Sequence, residues 1–237
     1  MSGFFKSLAS WWPRWLDGQR GEMRTPWERF IARVELLLVD HGFIRAVYSN
    51  RHRVSPNLYR SAQPSPAQVA RMARRGVRTI INLRGARGNG TYLLEQEACQ
   101  RHGVRLVDFP VGSRSAPSRE KLLAAQRLFR EIEYPALVHC KSGADRAGFM
   151  AALYLALHEG RPVSEAIGQL GFRYGHLPWG GPGILDHFFR RYEQDSRKEP
   201  VDFARWVTEV YDRDALKREY RAGRLGTLVV DRLLRRE

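Results

Sequence analysis

Two cysteines in 237 residues leave no disulfide framework, which excludes a small stapled secreted fold and suits a reducing compartment. No stretch is long and apolar enough to span a bilayer. The first residues hold no basic region followed by a sustained apolar run and a small-residue cleavage site, so no secretory signal is expected. Internal repeats and low-complexity tracts are also missing, which excludes repeat architectures. Acidic residues are few beside basic ones, 25 against 40, and the net charge is +15. Its carriers are mostly arginines spread through the chain, a pattern that suits an anionic partner as well as a plainly solvated basic surface. Neither a zinc finger nor an aromatic RNA-binding signature accompanies the charge, so nucleic acid is not the expected partner. A membrane surface or a phosphorylated substrate remains, in a cytoplasmic protein that is soluble or peripheral at the inner membrane.

The length suffices for one sizeable core. Apolar strand patterns near Asn57–Arg60, Val77–Leu83, Val104–Phe109 and Ala136–His139 alternate with helical ones, the order of an α/β domain with a central, mostly parallel sheet. Ser65-Pro66 and Pro117-Ser118 mark helix starts, and Thr25-Pro26-Trp27-Glu28 has capping-box spacing ahead of a helix from about Pro26 to Asp40, stopped by His41-Gly42. Further helices are expected over 163–171, 183–194 and 201–221; the last, with Phe203, Val207, Val210 and Tyr211, is expected to pack on the core. The pattern divides into an amphipathic aromatic segment and linker over 1–21, a helical extension over 22–53, a catalytic domain over 54–195 and a second helical extension over 196–237. In the first segment Phe4, Leu8, Trp11 and Trp15 share one helical face, which suits either a membrane interface or docking on the core.

The run Ala136-Leu137-Val138-His139-Cys140-Lys141-Ser142-Gly143-Ala144-Asp145-Arg146-Ala147-Gly148 carries the chemistry. An apolar strand enters a short loop with Cys140 at its start and Arg146 five residues after it, and a strong helix former follows from Phe149. Loop amides and a helix N-terminus then point together at a bound anion. The same field favours thiolate: a free cysteine titrates near ~8.5, and a helix N-terminus with a nearby cation lowers this. Cys140 is the expected nucleophile and Arg146 a bidentate grip on phosphoryl oxygens. Lys141, Ser142, Gly143 and Ala144 would line the anion. A loop at the carboxyl end of a central strand is where open α/β sheets bind ligands.

At this loop the sequence resembles the protein-tyrosine-phosphatase superfamily of cysteine phosphatases, in its compact dual-specificity-like branch. That family's loop reads His-Cys, five residues, Arg, then Ser or Thr. The resemblance extends to Leu58-Tyr59-Arg60-Ser61-Ala62-Gln63-Pro64 and Gly76–Arg84 and covers about Val54 to Tyr192. It implies a phosphomonoesterase that works through a phosphocysteine intermediate, with no metal and no cofactor. Lys141 resembles members acting on phosphorylated inositols and lipids; with the basic chain and the aromatic N-terminus it favours an anionic phospholipid or lipid A-type phosphate, while phosphotyrosine and inositol phosphates also fit. The alternative of another class is a non-catalytic phosphate-binding protein.

The sequence departs from the family twice. Family members carry an acidic Asp on a separate loop about thirty residues before the cysteine; the matching stretch, 108–117, holds only Asp108, at a strand end. Asp145, inside the loop where some bacterial and lipid-active members have Asp, is the favoured proton donor, because a carboxyl beside a dianion holds its proton more readily. The second departure is Ala147, where the family's hydroxyl assists release of the cysteine; its absence fits a slow phosphatase, one that uses another group such as Ser142 for that task, or a phosphate-binding relative without turnover. Arg84 and Arg87 are expected at the site rim, each able to hold a second phosphate, and His176 and Trp179 near the mouth. Cys99 is expected to pack on a helix face.

Overall fold

The computed structural model describes residues 23, 25–38, 49–86, 88–179 and 181–221. The aromatic face Phe4, Leu8, Trp11 and Trp15, the 18–21 linker, the His41-Gly42 stop, Arg87 and the chain after 221 lie outside the described residues.

Five strands form one sheet: β1 (His52–Arg53), β2 (Leu58–Ala62), β3 (Thr79–Asn82), β4 (Arg105–Asp108) and β5 (Ala136–Cys140). Their spatial order is β1-β2-β5-β3-β4, with β1 antiparallel to β2 and the other pairings parallel. The expected mostly parallel α/β sheet flanked by helices is what forms. β5 is central and buried along its whole length, as its unbroken apolar sequence requires. Ile81 and Val138 face one core with Phe149 and Phe129, while Ile80 and Leu137 face the other with Val69, Met72 and Cys99. Successive residues pointing to opposite faces is the period-two geometry of a strand.

The register aligns the strand ends that matter. Ala62 lies opposite Cys140, and Asn82 lies opposite both His139 and Asp108. Any loop leaving β5 therefore starts level with the ends of β2, β3 and β4.

Among the described residues the longer helices around the sheet are α1 (Pro26–Leu38), α2 (Pro66–Arg74), α3 (Gly90–Arg101), α4 (Arg119–Glu131), α5 (Asp145–Leu157) and α6 (Ile184–Lys198). Thr25 and Glu28 make the reciprocal capping box read from the sequence, at 3.2 and 2.9 Å. Ser65 with Gln68 makes another, and Ser118 caps α4. Helix α1 packs on α3 through Ala32, Leu93 and Leu94, with Arg29 paired to Glu97 at 3.1 Å. None of the described helices is long and apolar enough to cross a membrane.

Two helical expectations are corrected. The 163–171 helix shrinks to one α-turn (Val163–Ala166) and a 3₁₀ turn (Ile167–Gln169), because Gln169 gives its backbone carbonyl to Arg60. The 201–221 helix breaks into a short turn (Phe203–Arg205), a π-helical turn (Trp206–Val210) and a helix over 213–221. The π-turn shifts the periodic face, so Trp206 is buried and Val210 is exposed. Phe203, Val207 and Tyr211 pack on the core as expected, and Trp206 takes the place expected of Val210. Phe188 sits at the centre of this packing, with Phe149, Phe189, Phe203, Trp206 and Tyr211 rings 5.1–6.0 Å away.

Phe188→Ala should therefore cost about 3–5 kcal/mol of unfolding free energy, measured by urea denaturation. A loss below about 1 kcal/mol would show that the C-terminal helices are not part of the cooperative core.

Candidate active site

Cys140 ends β5 and the chain turns at once into the 141–144 loop that feeds α5. Four successive loop carbonyls are drawn outward. Lys141 O accepts from the Gln63 amide at 3.4 Å, Ser142 O from Asn50 Nδ2 at 2.9 Å, and Gly143 O and Ala144 O from Arg60 Nη2 at 2.7 and 2.9 Å. In a trans peptide the next N–H points opposite to the carbonyl, so the amides of Ser142 through Asp145 turn to the inner side of the loop. The Gly143 N–H reaches Cys140 Sγ at 3.3 Å. Ala144, at the N-cap of α5, makes no side-chain cap, which leaves the first-turn amides for an anion.

Two glycines make the turn sterically feasible. Gly143 has φ +76°, and a Cβ there would meet the Ala62 amide nitrogen at 2.5 Å and Ser61 O at 2.8 Å. At Gly148 a Cβ would meet Gln169 O at 2.6 Å. The loop thus runs against the backbone of β2 and α5 against the 167–169 turn.

Arg60 holds these parts together. It lies on β2, fully buried, and donates Nη1 to Gln169 O and Oε1 as well as Nη2 to the two loop carbonyls. Its guanidinium stacks on Tyr174, 3.8 Å from the ring centroid. Burial pushes it down to about 10, still charged at neutral pH. Sequence reasoning passed over Arg60; the available signal was an arginine on the same face of β2 as the apolar Leu58 and Ala62. Asn50 was missed too, and no local pattern marks it.

Arg146, in the first turn of α5, is half-buried and donates Nη1 to Leu83 O at 3.3 Å, which aims it toward the end of β3. Behind Cys140, His139 is fully buried with Nε2 2.8 Å from Glu95 Oε1, and Glu95 Oε2 accepts from Gln63 Nε2 at 2.7 Å. Arg84 donates to Gln63 Oε1, so the structure ties it into this chain of polar groups. Lys141 and Ser142 are exposed on the loop, while Gly143 and Ala144 are buried.

The two carboxylates part company. Asp108 accepts from Asn82 Nδ2 at 2.8 Å and from Tyr92 OH at 2.7 Å, so both its oxygens serve the junction of β3, β4 and α3. Asp145 spends Oδ1 on His176 Nδ1 at 2.7 Å, and His176 Nε2 lies 2.6 Å from Asp186 Oδ2. His176 is completely buried with both ring nitrogens engaged, so the expected contact with substrate is corrected: it has no atom to offer at the mouth. Burial opposes its charge, but the hydrogen bonds it donates to Asp145 and Asp186 outweigh it and raise the imidazole to about 9. Trp179 does lie at the surface, with its ring 5.2 Å from exposed Phe172. Cys99 packs on α3 as a buried thiol that burial, then Glu95, raises to about 12.

A cysteine under a ring of inward amides, with an arginine in the first turn of the following helix, defines the class: a cysteine-phosphatase loop. Residues 44–176 match the family described as PTP-NADK: DSP-PTPase phosphatase fused to NAD+ Kinase, and the chain belongs to that family. Dual specificity protein phosphatase TpbA of Pseudomonas aeruginosa is 32% identical over 122 residues, 51% of this chain and 53% of that protein. The Beta-lactamase hydrolase-like protein of Xylella fastidiosa is 34% identical over 128 residues, 52% of this chain and 28% of that one. The crystal structure of P. aeruginosa TpbA aligns with 76% of this chain and 91% of its own at 25% identity, TM-score 0.47. The chain spans about half the length of the TpbA sequence and a smaller share of the Xylella protein.

Arg60→Lys should lower stability, because a single ammonium cannot serve three carbonyls in different directions; with charged hydrogen bonds contributing about 1.5–3 kcal/mol each, a loss of at least ~2 kcal/mol is expected by denaturant titration, with weaker vanadate binding. Unchanged vanadate affinity would remove Arg60 from the loop's support. His176 makes a pH prediction. Its folded value lies above its ordinary 6.5, so its stabilisation is complete below about 6.5 and is lost as pH rises through about 9. Thermal unfolding from pH 6 to 10 should show that fall, and His176→Gln should flatten it.

Proposed function

We propose that this chain is a metal-independent phosphomonoesterase of the dual-specificity type, acting through a phosphocysteine. The observation that carries the reading is the set of four outward carbonyls over Cys140, since their amides form a cradle for a phosphoryl group in line with Sγ. Cys140 Sγ attacks phosphorus, the bond to the leaving oxygen breaks, and Arg146 with the loop amides takes the charge on the equatorial oxygens. Asp145 is the better proton donor for the leaving oxygen, because Asp108 commits both oxygens elsewhere and Asp145 only one. Water then attacks phosphorus, the S–P bond breaks, and inorganic phosphate leaves with the thiolate restored. Ala147 is fully buried beneath the loop and supplies no hydroxyl for that second step.

The dual-specificity assignment extends what the TpbA name says of that protein to this chain. A second reading, a phosphate carried on an anionic lipid, is favoured by one observation: Phe172, Leu177 and Trp179 are all exposed on the segment that leads into and out of His176. Exposed apolar side chains on a chain of charge +15 suit a membrane interface.

Cys140→Ser should abolish hydrolysis of an aryl phosphate while vanadate still binds, and Arg146→Lys should reduce turnover at least ~100-fold by losing the two-point grip. Hydrolysis surviving Cys140→Ser would reject the mechanism. A pre-steady-state burst is expected in the natural protein, with Ala147→Ser speeding the slow phase. For substrate class, phosphotyrosyl peptides and vesicle-borne phosphomonoester lipids are compared directly. The lipid reading requires higher kcat/KM on vesicles and a larger loss there for Trp179→Ala than on the peptide; equal losses reject it.

A further inference from the structure

We propose that His176 is a positioning residue for the phosphate loop: a buried imidazolium, anchored by Asp186, grips Oδ1 of Asp145 and fixes its carboxyl group for the reaction, and its deprotonation releases that grip. The inference rests on the phosphatase reading and deepens it at the same site.

The three groups come from three separate segments: Asp145 from the first turn of α5, His176 from the loop after the 172–174 turn, and Asp186 from the first turn of α6. Both contacts are short, 2.7 Å to Asp145 Oδ1 and 2.6 Å to Asp186 Oδ2. The His176 side chain has no exposure and Asp186 has 6%, whereas Asp145 keeps 26% and so presents its other side to solvent and ligand. Carboxylates only accept hydrogen bonds, and a neutral imidazole has one N–H. With Asp145 Oδ1 and Asp186 Oδ2 both accepting, the ring is doubly protonated, and the proton that Asp145 gives to the leaving oxygen sits on its other oxygen, Oδ2. Were His176 neutral, one lone pair would face a carboxylate oxygen, and one of the two contacts would open.

The charged groups against His176 are Asp145 and Asp186, and Arg60 lies on the β2 side of Asp145, where the two attract. The cluster Asp145, His176 and Asp186 carries one net negative charge when all three are ionised. Without the imidazolium it would carry two, beside a dianionic substrate. His176 thus lowers the repulsion that an aspartate inside a phosphate loop would otherwise impose, and it does so without touching the phosphate.

His176 also bolts the loop that bears it. Tyr174, two residues earlier, lies under Arg60 and gives its carbonyl to Asn50 Nδ2, the same amide that holds Ser142 O. The 172–179 segment is therefore fixed to the phosphate loop at two points, and opening the Asp145 contact frees one of them.

The test is a pH profile of kcat/KM from pH 5.5 to 10 on an aryl phosphate for the natural protein, Asp186→Asn and His176→Gln, with imidazole NMR titration of His176. The natural protein should lose activity on an alkaline limb near pH 9, in step with the ring's own titration. Asp186→Asn removes one carboxylate and should move both the limb and the titration to lower pH by at least one unit. His176→Gln should abolish the limb and lower kcat at least ~10-fold with a smaller change in KM. A part that served folding alone would lower activity evenly at every pH and leave the limb in place, and that result would overturn the proposal. So would a His176 ring in the natural protein that titrates below pH 7. If His176→Gln fails to fold, Asp186→Asn and the natural protein's titration decide. Absence of turnover in the natural protein would reject the phosphatase reading while the NMR titration still judges the clamp.

Discussion

The buried guanidinium of Arg60 is the interaction on which the rest of the site depends. A tight loop that turns its amides inward must turn its carbonyls outward, into protein where water cannot serve them, and each unserved carbonyl would cost about 1–3 kcal/mol. Arg60 answers two of them, Asn50 a third and the Gln63 amide the fourth. A planar cation with several donors in fixed directions suits that task, and its place on β2, level with Cys140 through the Ala62 register, sets the loop's height above the sheet.

Charge in the site is arranged in shells. Lys141 lies on the loop, Arg146 in the first turn of α5 and Arg60 beneath it, and the acidic groups each have a close neighbour: Asp145 and Asp186 share the His176 ring, and Glu95 lies beside His139 and Gln63. An isolated buried carboxylate would be expensive. Paired in this way, the acidic residues shape the site without cancelling its attraction for phosphate.

Much of this was legible locally. The strands follow from apolar runs of the right length, the helix starts at Pro26, Pro66 and Arg119 from their capping residues, and the loop from Cys140 to Arg146 from a strand, a glycine and a helix in sequence. Those features depend on near neighbours, so a linear pattern records them. The 201–221 segment shows where this stops: its apolar spacing reads as one helix, but tertiary packing of Trp206 under Phe188 imposes a π-turn and a break before residue 213.

By itself the sequence determined the class of sheet and the place of the Cys140–Arg146 loop at a central strand's end. Only the tertiary structure decided which partners each carboxylate meets and that His176 is buried between two of them. The linear reading favours Asp145 over Asp108 from its place in the loop; the structure adds that Asp108 meets Asn82 and Tyr92 across the sheet, while Asp145 meets an imidazole 31 residues away. The same holds for Arg60, whose partners lie 83 to 109 residues further along the chain. A side chain's chemistry is set by the groups packed against it, and contacts between distant segments leave no periodicity in the sequence.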